Sequence, residues 1–264
     1  MSDHLTAMTQ AAIKASRLIL EIYESGAEAR AKSDGSPVTE ADEKGEEAIL
    51  EILAAEVPGI PVIAEEAMAG GAVAKASERF FLVDPLDGTK EFVTGTGEFT
   101  VNIALIENGV PVAGVVAVPA EDSLFVGDVG NGATKQMYDF AKGTAQGDPE
   151  PISVRQRPES GALAMTSRSH GSEETQKMLQ RLGVTDVLAA GSSLKFCAIA
   201  EGKADLYPRL GRTMEWDTGA AHAVLKAAGG EVYVFDNQER GEPLRYGKEE
   251  RGFDNPHFLA VGAE

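Results

Sequence analysis

The chain predicts a mixed α/β protein, with an antiparallel sheet in its first half and a strand–helix alternation in its second. Three observations predict this. Leu5, Met8, Ala12, Ala15, Ile19 and Ile22 recur at spacings of three and four, the period of one helix face. Residues 100–106, 110–118 and 123–129 are β-rich runs separated only by Glu107-Asn-Gly109 and Ala120-Glu-Asp122, which reads as a meander. From residue 163 onward short apolar runs alternate with helical patterns that end in glycine, the pattern of an α/β layer.

In order, the first helix opens at Ser2 or Asp3 and closes near Gly26. A polar segment, 32–37, precedes Thr39-Glu-Ala-Asp42, a capping-box pattern that opens a second helix running to about residue 55. Residues 60–64 read as a short strand that delivers Glu65 and Glu66 at its end, and residues 67–78 as a mobile loop. Phe81, Leu82 and Val83 read as the end of a buried strand, followed by the turn Asp84-Pro-Leu-Asp-Gly-Thr89. Residues 130–150 carry Gly, Asn and Asp-Pro and read as a loop or a boundary, dividing the chain into 1–150 and 151–264. In the second half, strands are expected at 163–166, 187–190, 204–207 and 232–235, and helices at 173–182, 193–201 and 217–228.

Composition excludes several roles. A formal net charge of −18 opposes nucleic acid or an anionic membrane as the main partner. The single cysteine, Cys197, forbids an intrachain disulfide and reads as a core residue. No stretch approaches about 18 consecutive apolar residues, and the N-terminus lacks a basic region followed by an apolar run. A cytoplasmic setting is therefore expected, with loose association with the inner face of a membrane left open.

Four carboxylates share one kind of position. Glu65, Asp84 and Asp87 follow strands, and Asp217 opens a helix. Singly, each has a local explanation: loop charge, turn former or helix N-cap. Together they suggest an oxygen cage for hard cations such as Mg²⁺, which takes oxygen ligands at about 2.0–2.1 Å. Paired ions about 3.5–4 Å apart can hold both the attacking and the leaving oxygen of a phosphoryl transfer. Bound cations would also reconcile a phosphate substrate with so acidic a chain. Asp-Gly-Thr after a strand also fits aspartate-nucleophile phosphatases of the haloacid dehalogenase type, but those need an acid where this chain has Pro85.

Asp84-Pro-Leu-Asp-Gly-Thr89, Glu65-Glu66 and Trp216-Asp217, before a helix ending in Ala-Gly-Gly, resemble the Mg²⁺-dependent, lithium-sensitive inositol monophosphatase superfamily over almost the whole chain. Within it, Ser36-Pro-Val-Thr-Glu-Ala-Asp42, Asp87-Gly-Thr-Lys-Glu-Phe92, Gly191-Ser-Ser-Leu-Lys-Phe-Cys197 and Glu201-Gly-Lys-Ala-Asp-Leu-Tyr-Pro-Arg209 are similar to the bacterial 3′(2′),5′-bisphosphate nucleotidases of the CysQ type. Gly97-Glu-Phe-Thr-Val-Asn-Ile-Ala104 and Ser167-Arg-Ser-His170 point the same way.

The resemblance implies an αβαβα sandwich and two or three Mg²⁺ ions held by Glu65, Asp84, Asp87, Asp217 and the Leu86 carbonyl. It implies that Asp42 and the Thr89 hydroxyl orient and activate the attacking water, with Glu65 shared between metal and catalysis. Backbone N–H groups of Gly88 and Thr89 would meet the scissile phosphate. The implied reaction converts 3′-phosphoadenosine 5′-phosphate to AMP and phosphate, extending to its 5′-phosphosulfate form, within sulfate assimilation. Ser169, His170, Lys195 and Arg209 are the expected donors to the second phosphate and ribose, Tyr207 the contact to the base, and Asp217 reaches the substrate as well as the metal. The shared metal motif does not read the substrate, so an inositol or sugar phosphate phosphatase is the alternative. A non-catalytic nucleotide- or metal-binding module is a remote third. Monomer and homodimer both fit.

Overall fold

In the computed structural model the described residues are 2–26, 29–31, 37–73, 75–167, 173–236 and 239–263. Helix α1 (Asp3–Ser25) buries Leu5, Met8, Ala12, Ala15 and Ile19, the face that the spacing predicts. A two-residue pairing of β1 (Arg30–Ala31) and β2 (Pro37–Val38) leads into α2 (Glu40–Glu56), which packs along α1. Next come β3 (Val62–Ala64), the short α3 (Glu65–Ala69), β4 (Arg79–Asp87) and the short α4 (Thr89–Val93).

The meander is present as β5 (Thr100–Glu107), β6 (Val110–Val118) and β7 (Ser123–Asp128). It continues through β8 (Gly132–Asp139), β9 (Thr144–Ala145) and β10 (Glu150–Ile152). Residues 130–150 are therefore largely strand, not the expected loop. The reason is exposure: β8 buries only Ala133 fully, so it lacks the apolar alternation that marks a strand. The expected loop at 67–78 likewise starts later, because α3 runs to Ala69. The first sheet has the order β10-β8-β7-β6-β5-β4-β3, with β9 beside β8; β3 is parallel to β4 and the other pairs are antiparallel.

The second half forms β11 (Ala162–Ser167), α5 (Glu173–Arg181), β12 (Val184–Ala190), α6 (Leu194–Ala200) and β13 (Leu206–Arg209). It closes with α7 (Gly219–Ala227), β14 (Glu231–Asp236), β15 (Glu239–Pro243) and β16 (Phe258–Val261). Its sheet is β12-β11-β13-β16-β14-β15, parallel among the first three strands and antiparallel beyond.

The layers follow from which faces are apolar. One face of the first sheet (Phe81, Val83, Ile103, Val115) meets α1 and α2; the other (Leu82, Ala104, Val116) meets α6 and α7, which also rest on the second sheet. A smaller cluster around Met178 and Leu206 joins α5 to the outer face of the second sheet. The result is the expected αβαβα sandwich. Helix α7 lies unusually close to β6 and β7. The paired glycines Gly114 and Gly127 leave a dent there, and a Cβ on either would stand 2.2 Å from the Ala220 oxygen or 2.5 Å from the Val224 Cα.

Candidate active site

The parallel pairing of β3 with β4 sets Ala64 opposite Val83, so the next residues, Glu65 and Asp84, lie side by side. The β4–β5 register runs to Asp84 opposite Asn102, breaks, and resumes with Asp87 opposite Thr100. The expected turn is thus the bulged end of a strand. Pro85 sits at the break, where a missing N–H costs no ladder bond. Gly88 then takes φ +91° and caps α4; a Cβ there would lie 2.8 Å from the Glu98 oxygen.

Asp217 comes from the other sheet's layer. It does not open a helix: α7 starts at Gly219, and the Asp217 carboxylate folds back to accept a 2.8 Å bond from the Met214 N–H. Buried Glu215 ties this turn to the chain at 247–248, accepting from the Gly247 and Lys248 N–H groups at 2.6 and 2.9 Å. Glu65, Asp84 and Asp217 offer oxygens that all lie within 4.8 Å of one another. Burial, with repulsion from Glu65, Asp87 and Asp217, pushes the Asp84 carboxyl well above the usual carboxylate range. Burial and the charges of Asp87 and Glu65 push Asp217 the same way. A purely oxygen donor set under this repulsion fits a hard cation, whose charge would relieve it.

Asp87 is adjacent to this group rather than within it. Its carboxylate accepts a 2.6 Å bond from Ser192 Oγ. Burial raises its pKa, while Ser192 and Lys195 act against the rise. Ser192 was not singled out by sequence reasoning; it holds φ +50° and stands 2.5 Å from Thr100 Oγ1, which sits opposite Asp87 on β5. The Gly-Ser-Ser run was visible in sequence, but its distance from Asp87 along the chain hid the contact.

Asp42 caps α2 and also meets Thr89. Thr39 donates to Asp42 Oδ2 from its backbone N–H and from its hydroxyl, each at 2.7 Å, the capping box that starts α2. The other oxygen, Oδ1, accepts from Thr89 Oγ1 at 3.1 Å, and that hydroxyl also lies 3.2 Å from the Leu86 carbonyl.

A cavity of about 680 Å³, including its open mouth, is lined by Asp87, Gly88 and Asp217 together with Lys195, Tyr207 and Arg209. Lys195 donates to the Ala190 carbonyl at 3.2 Å and also to the Ser192 carbonyl, using two of its three N–H bonds. Burial lowers its pKa to about 8, against the pull of Asp87. Arg209 is braced by Thr213 Oγ1, Ser167 Oγ and the Arg212 carbonyl, leaving two of its five N–H bonds unused by these contacts. Tyr207 packs edge-on against Phe196 and Phe258 in the cavity floor, and burial raises its phenol to about 12. Ser169 and His170 lie outside the described residues, as does the polar segment 32–36.

A family model described as the inositol monophosphatase family matches residues 1–257. The 3′(2′),5′-bisphosphate nucleotidase CysQ of Escherichia coli (strain K12) is 42% identical over 261 residues, covering 96% of this chain and 98% of that protein. The Haemophilus influenzae protein of the same name is 32% identical, covering 95% and 90%. Among solved structures, CysQ from Bacteroides thetaiotaomicron superposes with a TM-score of 0.81 at 38% identity, covering 99% and 97%. Inositol monophosphatase from Anabaena superposes at 0.74 with 27% identity, covering 98% and 90%. No helix among the described residues is long and apolar enough to cross a membrane.

Proposed function

This chain belongs to the inositol monophosphatase family, and from that premise we propose that it is a 3′(2′),5′-bisphosphate nucleotidase releasing the 3′-phosphate of 3′-phosphoadenosine 5′-phosphate to leave AMP. One observation supports the nucleotide over a monophosphate. One cavity is lined both by acidic Asp87 and Asp217 and by cationic Lys195 and Arg209. A substrate with two phosphates would use both sets: one phosphate against the acidic group and its cations, the other on Lys195 and Arg209. The proposal extends to the 5′-phosphosulfate form and, with it, to a role in sulfate assimilation in the cytoplasm.

Glu65, Asp84 and Asp217, with Asp87 and the Leu86 carbonyl, would hold two or three Mg²⁺ ions. When bound, Mg²⁺ supplies Lewis acidity at the phosphate and at the attacking water. The protein's own part is orientation and proton movement. Thr89 donates to Asp42 Oδ1, so its oxygen is left to accept from a water in front of it. A proton taken by Thr89 Oγ1 is matched by the one it gives to Asp42. Gly88 and Thr89, at the start of α4, present backbone N–H groups to the scissile phosphate. Ser192 keeps the Asp87 carboxylate fixed.

The test is phosphate release from adenosine 3′,5′-bisphosphate against inositol 1-phosphate, for the wild type and for Lys195→Met. The nucleotide should be strongly preferred, and the substitution should erode that preference by raising KM for the nucleotide alone. A preference for inositol phosphate would replace this reading with the sugar-phosphate alternative.

A further inference from the structure

Helix α3 is five residues long and begins at Glu65, yet nothing in its own sequence holds its start. Its N-cap is Ala64, with no side-chain cap bond. A helix this short does not sustain itself, and its first N–H groups need partners. Those partners come from a different helix. Glu46, on α2 and only 6% exposed, accepts from the Glu66 N–H at 2.7 Å with one oxygen and from the Ala67 N–H at 2.8 Å with the other. A buried carboxylate is costly unless such charge-assisted bonds satisfy it. Here it sits in a groove already lined by Glu43, Glu47, Glu51 and Glu66, where further negative charge is least welcome. Glu46 also lies one turn beyond Asp42, so two successive inward positions of α2 reach the Asp42–Thr89 pair and the α3 start.

We infer that Glu46 is a positioning residue: its two-oxygen clamp on the first turn of α3 aims Glu65 at Asp84 and Asp217, and thereby sets the affinity of the cation site. This rests on the reading of those three acids as a metal site. Glutamine at 46 keeps the volume but has one acceptor oxygen, and turns an NH₂ toward a backbone N–H. Aspartate keeps the charge but falls one methylene short.

The test is calorimetric titration of the purified chain with Mg²⁺ alone, without nucleotide, for wild type, Glu46→Gln, Glu46→Asp and Glu47→Gln. Glu47 is an exposed neighbour on the same helix, so its variant removes the same charge without touching the clamp. Glu46→Gln and Glu46→Asp should bind Mg²⁺ roughly 10- to 100-fold more weakly. The Mg²⁺ concentration for half-maximal phosphate release should rise in step, while KM for the nucleotide at saturating Mg²⁺ stays constant. Glu47→Gln should bind as the wild type does. If Glu46→Gln lowers the melting temperature but matches Glu47→Gln in Mg²⁺ affinity, the clamp is only structural and the inference fails. If Glu46→Gln does not fold, the same comparison with Glu46→Asp decides. A wild type that binds no Mg²⁺ would instead overturn the metal reading on which the clamp depends.

Discussion

Asp42 and Thr89 stand 47 positions apart and meet through one 3.1 Å hydrogen bond. The local half of Asp42's role was legible, since Thr39-x-x-Asp42 is a capping pattern. Its second oxygen's partner followed from the family resemblance alone, because no local rule links a helix N3 position to a residue beyond the next two strands. Thr89→Val removes the hydroxyl and keeps the shape. It should lower kcat by about 10²- to 10⁴-fold with KM nearly unchanged, measured by steady-state phosphate release. Asp87→Asn should abolish turnover while leaving the circular dichroism spectrum intact, because Ser192 can still donate to the remaining oxygen. Near-normal activity at saturating Mg²⁺ would remove Asp87 from the site.

At the scale of elements, the position of Asp217 depends on how α7 seats on the first sheet. Gly114 and Gly127 make that seat, and Gly127→Val should push α7 outward, costing about 1–3 kcal/mol or more in denaturant unfolding. The far side of α7 is fixed by a buried chain of polar groups. His222 Nε2 lies 2.6 Å from Glu231 Oε1, His222 Nδ1 lies 2.9 Å from the Tyr246 hydroxyl, and that hydroxyl lies 3.3 Å from Thr218 Oγ1. Burial lowers the His222 pKa, outweighing the pull of Glu231 and joined by repulsion from Lys226 and Lys248. The folded protein thus resists a proton that the unfolded chain accepts below about pH 6.5. Stability conferred by neutral His222 should be present above that pH and decline as pH falls below it. Burial pushes Glu231 up, but the bonds from His222 and Lys226 outweigh it and hold it at about 2. Its contribution should persist down to about pH 4.5 and then be lost toward pH 2. Melting temperatures from pH 7 to 5 should fall in the wild type and flatten in His222→Gln. Helices α1, α2 and the meander were legible because each buries one face. Strand β8 was not, because most of its side chains are exposed and its periodicity is weak.

For the whole molecule, the question raised by a net charge of −18 is how so acidic a chain holds an anion with two phosphates. The sandwich answers it by bringing acids from two layers together beside a cavity that Lys195 and Arg209 also line. In sequence Glu65 and Asp84 stood out as strand-end residues and Asp217 as a helix opener, a shared kind of position that suggested a cage; the parallel β3–β4 pairing and the seat of α7 are what bring them together. If these acids bind Mg²⁺, the ion should stabilise the fold: at about 100 times its Kd the gain is about 2.7 kcal/mol, a melting-temperature rise of roughly 5–10 °C in thermal scans. The most direct measurement is ³¹P NMR of the products from adenosine 3′,5′-bisphosphate with Mg²⁺. The expected spectrum contains orthophosphate and adenosine 5′-monophosphate in equal amounts, and neither forms when EDTA replaces Mg²⁺. Accumulation of adenosine 3′-monophosphate, or an unchanged substrate spectrum with Mg²⁺ present, would contradict it.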